Sequence, residues 1–203
     1  MKIICIGRNY AKHAQELGNN NPKEPVVFLK PDTAIPQKGN PFFIPDFSET
    51  IHHEVEIIVR INRLGKHIDE RFAHKYYSDI GLGIDFTARD LQEKLKKQGL
   101  PWEKAKGFDG SAAICQYFIS KDKVDVSNLN FSLTKNGQLV QKGNTKDMLF
   151  TIDKLIAYIS TFFTLKIGDL IFTGTPSGVG SVQKGDLLEG FIEKEKMLNV
   201  LVK

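Results

Sequence analysis

The chain has 203 residues, 41% of them hydrophobic and 26% charged. That is enough for one compact domain with a buried core, and it excludes disordered, collagenous and low-complexity classes. With 28 Lys and Arg against 24 Asp and Glu, the net charge is +4 and no dense basic block occurs, so nucleic acid is not an expected partner.

Residues 1–6 read as a strand and 9–17 as a short helix, with Gly18 beyond its end. A polar loop over 19–25 leads to a strand at 26–29, closed by Pro31. Four prolines assign 31–50 to turns and edge strands. From 51 to 62, Ile51, Val55, Ile57, Val59 and Ile61 alternate with polar residues, Ile58 being the exception. A period of two predicts one strand with one buried face. A second strand, 79–86, carries Gly81 and Gly83. Residues 88–98 form a helical pattern with Leu91 and Leu95 and a stop at Gly99. Its Lys94, Lys96 and Lys97 are expected on a solvated face. Asn136-Gly137 between 131–135 and 138–142 predicts a hairpin. Ile152, Leu155, Ile156, Ile159 and Phe163 mark the clearest amphipathic helix, expected to pack on a sheet. A strand at 170–173, a Gly-rich loop at 174–180 and strands near 187–194 and 197–202 complete the chain. The sum is one mostly β domain over residues 1–203 with three short helices.

Cys5 and Cys115 lie in apolar stretches and read as small buried thiols, too few for a disulfide framework or a four-thiolate metal site. The apolar-rich stretch 149–163 is broken by Asp153 and Lys154, so no membrane span is expected. Residues 1–6 offer too short an apolar run for a signal peptide. The reducing cytoplasm is the expected location.

Glu54 and Glu56 are the sharpest chemical feature. Residues i and i+2 on a strand share a face, about 6.6 Å apart. Two carboxylates so placed suit a hard divalent cation that keeps positions open for substrate. The spacing alone also describes a solvated face bearing two glutamates. Asp85, ending an apolar strand, is a third candidate ligand, because a lone buried charge is costly. Arg89 and Gln92 follow on one helix face; Arg89 either pairs with Asp90 or holds a substrate carboxylate. His13 and Glu16, at i and i+3 on a helix, can form a general-base pair or a surface pair without function. His52 and His53 point to opposite faces and cannot both ligate with Glu54. The loop Gly174-Thr175-Pro176-Ser177-Gly178-Val179-Gly180 lacks the Lys-Ser/Thr ending of a phosphate loop, but can present N–H groups and Thr175 to a carboxylate.

Six motifs in order carry a resemblance. They are Gly7-Arg8-Asn9-Tyr10-Ala11-Lys12-His13 with Glu16; Phe28-Leu29-Lys30-Pro31; His52-His53-Glu54-Val55-Glu56; Asp85-Phe86-Thr87-Ala88-Arg89-Asp90; Gly99-Leu100-Pro101-Trp102 with Lys106; and Thr173 to Gly180. On them the chain resembles the fumarylacetoacetate hydrolase family, in particular its single-domain acylpyruvase and oxaloacetate decarboxylase branch.

The resemblance implies a mostly β (α+β) fold, a mixed β-roll or sandwich with a few short helices, and a homodimer acting on a small 2-oxo acid. It implies one divalent metal on Glu54, Glu56 and Asp85, Mg²⁺ first, with Mn²⁺ or Ca²⁺ as alternatives. His13 and Glu16 match a water-activating pair on a helix that closes over substrate. Lys106 matches a catalytic cation, and Arg89, Gln92 and Thr175 match substrate contacts. The implied activity is C–C hydrolysis of 3-acylpyruvates with release of pyruvate, together with oxaloacetate decarboxylation. The alternatives are isomerisation or decarboxylation of 2-hydroxy-dienedioates, or non-catalytic binding of a metal–dicarboxylate complex. One departure is Phe108-Asp109-Gly110-Ser111-Ala112, where the family often has Phe-Asp-Thr followed by Pro; it predicts a roomier pocket beside Lys106.

Overall fold

The structure is a computed structural model that describes residues 1–37 and 40–203. Among the described residues strands dominate, in three sheets. The largest runs Val26–Lys30, Ile3–Gly7, Leu170–Phe172, Val55–Ile61, Tyr77–Asp85, Ala112–Ile114, with Ile119–Ser120 also paired to Tyr77–Asp85. Ile3–Gly7 is parallel to Leu170–Phe172, and its pairing with Val26–Lys30 is antiparallel. A four-stranded antiparallel sheet runs Gln138–Asn144, Asn130–Lys135, Leu187–Ile192, Glu195–Leu201. A small sheet joins Gly180–Ser181, Ile51–His53 and Thr87–Ala88.

The alternation at 51–62 yields two strands, not one. The chain breaks at Glu54 and changes sheet there. Nor is one face solvated. Residues 55 to 59 are all buried, because Val55–Ile61 is a central strand covered on both sides. Ile57 and Val59 face the main core with Ile80, Leu82, Phe131, Leu133, Leu188 and Leu198. Ile58, which breaks the alternation, enters a second cluster with Ile3, Cys5, Ala34, Leu170 and Phe172 on the opposite side. Glu56 shares the parity of Ile58 and therefore that side of the sheet.

The hairpin turns at Asn136-Gly137 with φ of 53° and 77°, the left-handed pair that a two-residue turn between twisted strands requires. Helix Ile152–Phe162 is capped by Thr151, whose side chain accepts from Lys154 N. Its stripe Ile152, Leu155, Ile156 and Ile159 is buried in the main core, beside the short helix Glu70–Ala73. Helices Ala11–Glu16 and Arg89–Lys97 lie where the periodicity puts them. The one-turn helices Glu70–Ala73 and Glu103–Lys106 add to the three expected; four residues are too few to show a 3.6-residue period. Cys5 and Cys115 are free and buried. Among the described residues no helix is long and apolar enough to cross a membrane.

Candidate active site

Antiparallel pairing of Val55–Ile61 with Tyr77–Asp85 sets Glu56 opposite Gly83, and the Asp85 N–H donates to the Glu54 carbonyl at 2.9 Å. This register brings Glu54, Glu56 and Asp85 together, with one oxygen from each within 4.8 Å of the others. All three are buried, Asp85 completely. Gly83 keeps the sheet close: a Cβ there would collide with Ile58 Cδ1 and stand 2.8 Å from the Ala113 carbonyl oxygen.

Three buried cations surround these carboxylates. Lys106 Nζ donates to Glu54 Oε2 (2.8 Å), Asp85 Oδ2 (2.7 Å) and Thr87 Oγ1 (2.6 Å), which uses all three of its protons. Arg89 donates to Glu54 Oε1 and to Gln92 Oε1 (2.6 Å). Lys30 Nζ donates to the carbonyls of Lys106 and Ser111 and to Ser111 Oγ, and stands 2.8 Å from Asp85 Oδ1. Burial raises the Glu54 carboxyl, but Lys106 and Arg89 outweigh it and hold the group well below the usual carboxylate range. Glu56 goes the other way. Burial, then Asp85 and Glu54, push its carboxyl well above that range.

Glu56 Oε2 accepts from Gly174 N at 2.7 Å. Asp85 Oδ1 is buried and accepts no hydrogen bond among the described residues, its neighbouring cation being Lys30 Nζ at 2.8 Å. A buried carboxylate oxygen left so is expensive. An all-oxygen donor set with unsatisfied lone pairs suits a hard divalent cation such as Mg²⁺ or Mn²⁺. The residues therefore fit the metal that the resemblance implies.

His13 and Glu16 sit on helix Ala11–Glu16 at the rim of the same cleft. His13 Nδ1 is 3.3 Å from Glu16 Oε2, and Glu16 is held by Gly178 N at 3.0 and 3.2 Å. His13 lines the cleft with Arg89, Gln92, Lys106, Thr175 and the three carboxylates, whereas Glu16 does not line it and meets it through His13. Thr175 Oγ1 donates to the Val55 carbonyl (2.8 Å) and accepts from Gln141 Nε2 (2.9 Å), which fixes the loop against the strand. The cleft is narrow, about 40 Å³, and clefts of about 730 and 830 Å³ elsewhere hold none of the carboxylates. Residues 108–112 do not line it; Ser111 is wholly buried in the Lys30 network, so the expected extra room beside Lys106 is not found. Arg89 pairs with Glu54 and not with Asp90, which caps Ser48 and Glu49 instead.

The histidines divide as strand geometry requires. His52 Nδ1 lies 3.3 Å from Arg89 Nε; burial and the Arg89 charge lower its pKa to about 4, leaving a neutral acceptor. His53 Nδ1 is 2.9 Å from Gln141 Oε1.

Lys30, Asn9 and Gln141 were not singled out as site residues. Lys30 could have been: a lysine closing the apolar strand at 26–30 needs a partner if buried. Asn9 Nδ2 donates to the carbonyls of Phe150 and Thr173, and its Oδ1 accepts from Phe150 N, so it pins the entry to the His13 helix. No spacing along the chain reveals that contact.

Comparison with known proteins gives the chain's family. The family model described as "Fumarylacetoacetate (FAA) hydrolase C-terminal" matches residues 2–200. The oxaloacetate tautomerase of Escherichia coli (strain K12) is 45% identical over 188 residues, 92% of this chain and 86% of that protein. The mitochondrial oxaloacetate decarboxylase of Dictyostelium discoideum is 47% identical over 190 residues, 93% of this chain and 87% of its own length. The crystal structure of fumarylpyruvate hydrolase from Pseudomonas aeruginosa in complex with Mn²⁺ and pyruvate superposes with a TM-score of 0.93 at 33% identity, covering 100% of this chain and 89% of that one. By sequence along nearly its whole length and by fold, the chain belongs to the fumarylacetoacetate hydrolase family of enzymes.

Proposed function

We propose that the protein is a divalent-metal-dependent enzyme that acts on small 2-oxo acids through their enolates. It cleaves the C–C bond of 3-acylpyruvates, releasing pyruvate and a carboxylic acid, and it decarboxylates or tautomerises oxaloacetate. The observation that carries this reading is the buried Glu54–Glu56–Asp85 cluster, in which Asp85 Oδ1 accepts no hydrogen bond among the described residues, facing a cleft lined by His13. Glu54, Glu56 and Asp85 would hold Mg²⁺ or Mn²⁺, which supplies Lewis-acid stabilisation of the negative charge that develops as the C3 bond breaks.

The chain's own residues do the rest. Glu16, fixed by Gly178 N, orients the imidazole of His13 and leaves its other ring nitrogen for the cleft. His13 takes a proton from water as the oxygen attacks the acyl carbonyl, and returns it to C3, where the bonding electrons remain. Loss of CO₂ from oxaloacetate needs no such water, and tautomerisation needs only proton movement. Arg89, Gln92 and Thr175 hold the substrate. Lys106 contributes positive charge beside Glu54 and Asp85.

Residues 1–203 serve as one catalytic domain, the active form is a homodimer, and the enzyme works in the cytoplasm. Pyruvate release from acetylpyruvate and CO₂ release from oxaloacetate, measured with Mg²⁺ and after chelation, test the reading. Turnover that survives chelation, or none with either substrate, overturns it. Light scattering should give twice 22.9 kDa.

A further inference from the structure

We propose that Arg8 and Lys96 form a second anion-binding subsite at the mouth of the cleft, one that selects 2-oxo diacids over 2-oxo acids with a neutral far end. The inference rests on the cleft being a 2-oxo acid site. Both residues line the cleft that holds the carboxylate cluster.

The charges deeper in the site are already matched. Lys30, Lys106 and Arg89 face Asp85 and Glu54 in direct ion pairs, and with Glu56 ionised the three cations and three carboxylates cancel. A divalent ion on the cluster then leaves two positive charges. The carboxylate and developing enolate of a monoanionic 2-oxo acid balance those two. Arg8 and Lys96 are surplus to that balance.

Neither has a carboxylate partner of its own. Among the described residues Arg8 makes no ion pair and no side-chain hydrogen bond, although it is half-buried. It lies over the Trp102 ring, 6.0 Å from the centroid, and that ring meets Phe28. Its backbone stands at φ 59°, a left-handed conformation that disfavours any residue with a Cβ. Among the described residues Lys96 makes one hydrogen bond, to Asn19 Oδ1 at 3.5 Å. Partial burial first, then the charges of Arg8 and Arg89, lower its pKa against an opposing pull from Glu93. An anion seated between Arg8 and Lys96 would relieve that repulsion.

Position sets the length of the ligand. Arg89, Gln92 and Lys96 follow at i, i+3 and i+7 on one face of helix Arg89–Lys97. The helix advances about 10 Å from Arg89 to Lys96. Arg89 marks the carboxylate cluster and Lys96 marks the opening. A group that meets Lys96 is therefore the far end of the substrate.

The test uses Mn²⁺-loaded protein and calorimetric titration with matched, uncleaved pairs: 2-oxopentanedioate against 2-oxopentanoate, and 2-oxohexanedioate against 2-oxohexanoate. The wild type should prefer the diacid by about tenfold or more at low ionic strength. Arg8→Gln and Lys96→Gln should each cut that preference by about three- to tenfold, since both groups are partly exposed. The double variant should bring it close to one, and Lys96→Arg should keep it. Metal affinity and melting temperature serve as folding controls. A wild-type ratio near one, binding of neither pair member, or variants that weaken both members equally would overturn the subsite. Turnover of acetylpyruvate and oxaloacetate by the wild type is scored separately. Selective binding without turnover sinks the reaction and keeps the subsite, whereas turnover with no diacid preference does the reverse.

Discussion

Lys106→Met is the most informative single change at the cluster. The side chain is almost fully buried and the replacement has similar length, so packing is kept while the charge is lost. Three charge-assisted hydrogen bonds of 2.6–2.8 Å disappear together. Removing one member of a buried ion pair costs about 3–5 kcal/mol, because the partner stays buried without compensation. Two neighbours soften the loss: Arg89 still donates to Glu54, and Lys30 remains 2.8 Å from Asp85. The lower end, about 3 kcal/mol, is therefore expected. At about 2–4 °C per kcal/mol for a domain of this size, the metal-free variant should melt about 6–12 °C below wild type. Mg²⁺ should then stabilise the variant more than the wild type, since the ion supplies the missing positive charge. For scale, a ligand at 100 times its Kd adds about 2.7 kcal/mol. Differential scanning calorimetry in chelator and in a Mg²⁺ series reads both effects. A metal-free Tm within about 2 °C of wild type, or equal Mg²⁺ shifts in the two proteins, would refute the charge balance described here.

His13→Ala should lower acylpyruvate hydrolysis by about 10²–10⁴-fold while oxaloacetate decarboxylation keeps most of its kcat/KM; equal losses would show that His13 does not act as a base. Metal affinity should rise with pH, by up to about tenfold per unit, because the ion must displace the proton that the raised Glu56 carboxyl retains; a flat Kd between pH 5 and about 8 would contradict it. By the same sign, the metal-free fold loses stability as pH rises through the Glu56 pKa, and Glu56→Gln should remove that slope in a pH series of melting curves. Gly83→Ala should destabilise by about 1–3 kcal/mol in urea unfolding, since its Cβ meets Ile58 and the Ala113 carbonyl. Cys5 should resist thiol reagents in the native protein, because burial first, then Asp85, pushes its thiol well above the ordinary range; rapid native-state labelling would show the smaller core opening.

The elements with a clear period were legible in the sequence. The hairpin at Asn136-Gly137, the stripe of helix Ile152–Phe162 and the stop at Gly99 each follow from local chemistry. What local pattern does not reveal is how the neighbouring strands cover and align these elements. The alternation at 51–62 hid a break at Glu54 and a second buried face, because period two marks which residues share a side and not what covers that side. Glu54 and Glu56 were visible as a pair, but their union with Asp85 depends on the register that sets Glu56 against Gly83. Lys96 shows a further limit. It is exposed like Lys94 and Lys97, as a run of lysines on a helix suggests, but nothing in that run marks it as the one that also borders the cleft. Asn9 and Lys30 bond to residues between 76 and 164 positions away, and nothing local announces such partners.

The strand that carries Glu56 is completed late in synthesis. Arg60 pairs with Leu170, so about 110 residues separate the two edges, and Ile3–Gly7 with its partner Val26–Lys30 meets the central strands through that same Leu170–Phe172 strand. A ribosome adding about 5–20 residues per second needs about 5–20 s to cover the interval. During that time the Val55–Ile61 strand presents an open apolar edge to the nascent chain's surroundings. Such long-range closure also raises contact order, so refolding from denaturant should be slow, with recovery of activity limited by docking of the two termini onto the central strands.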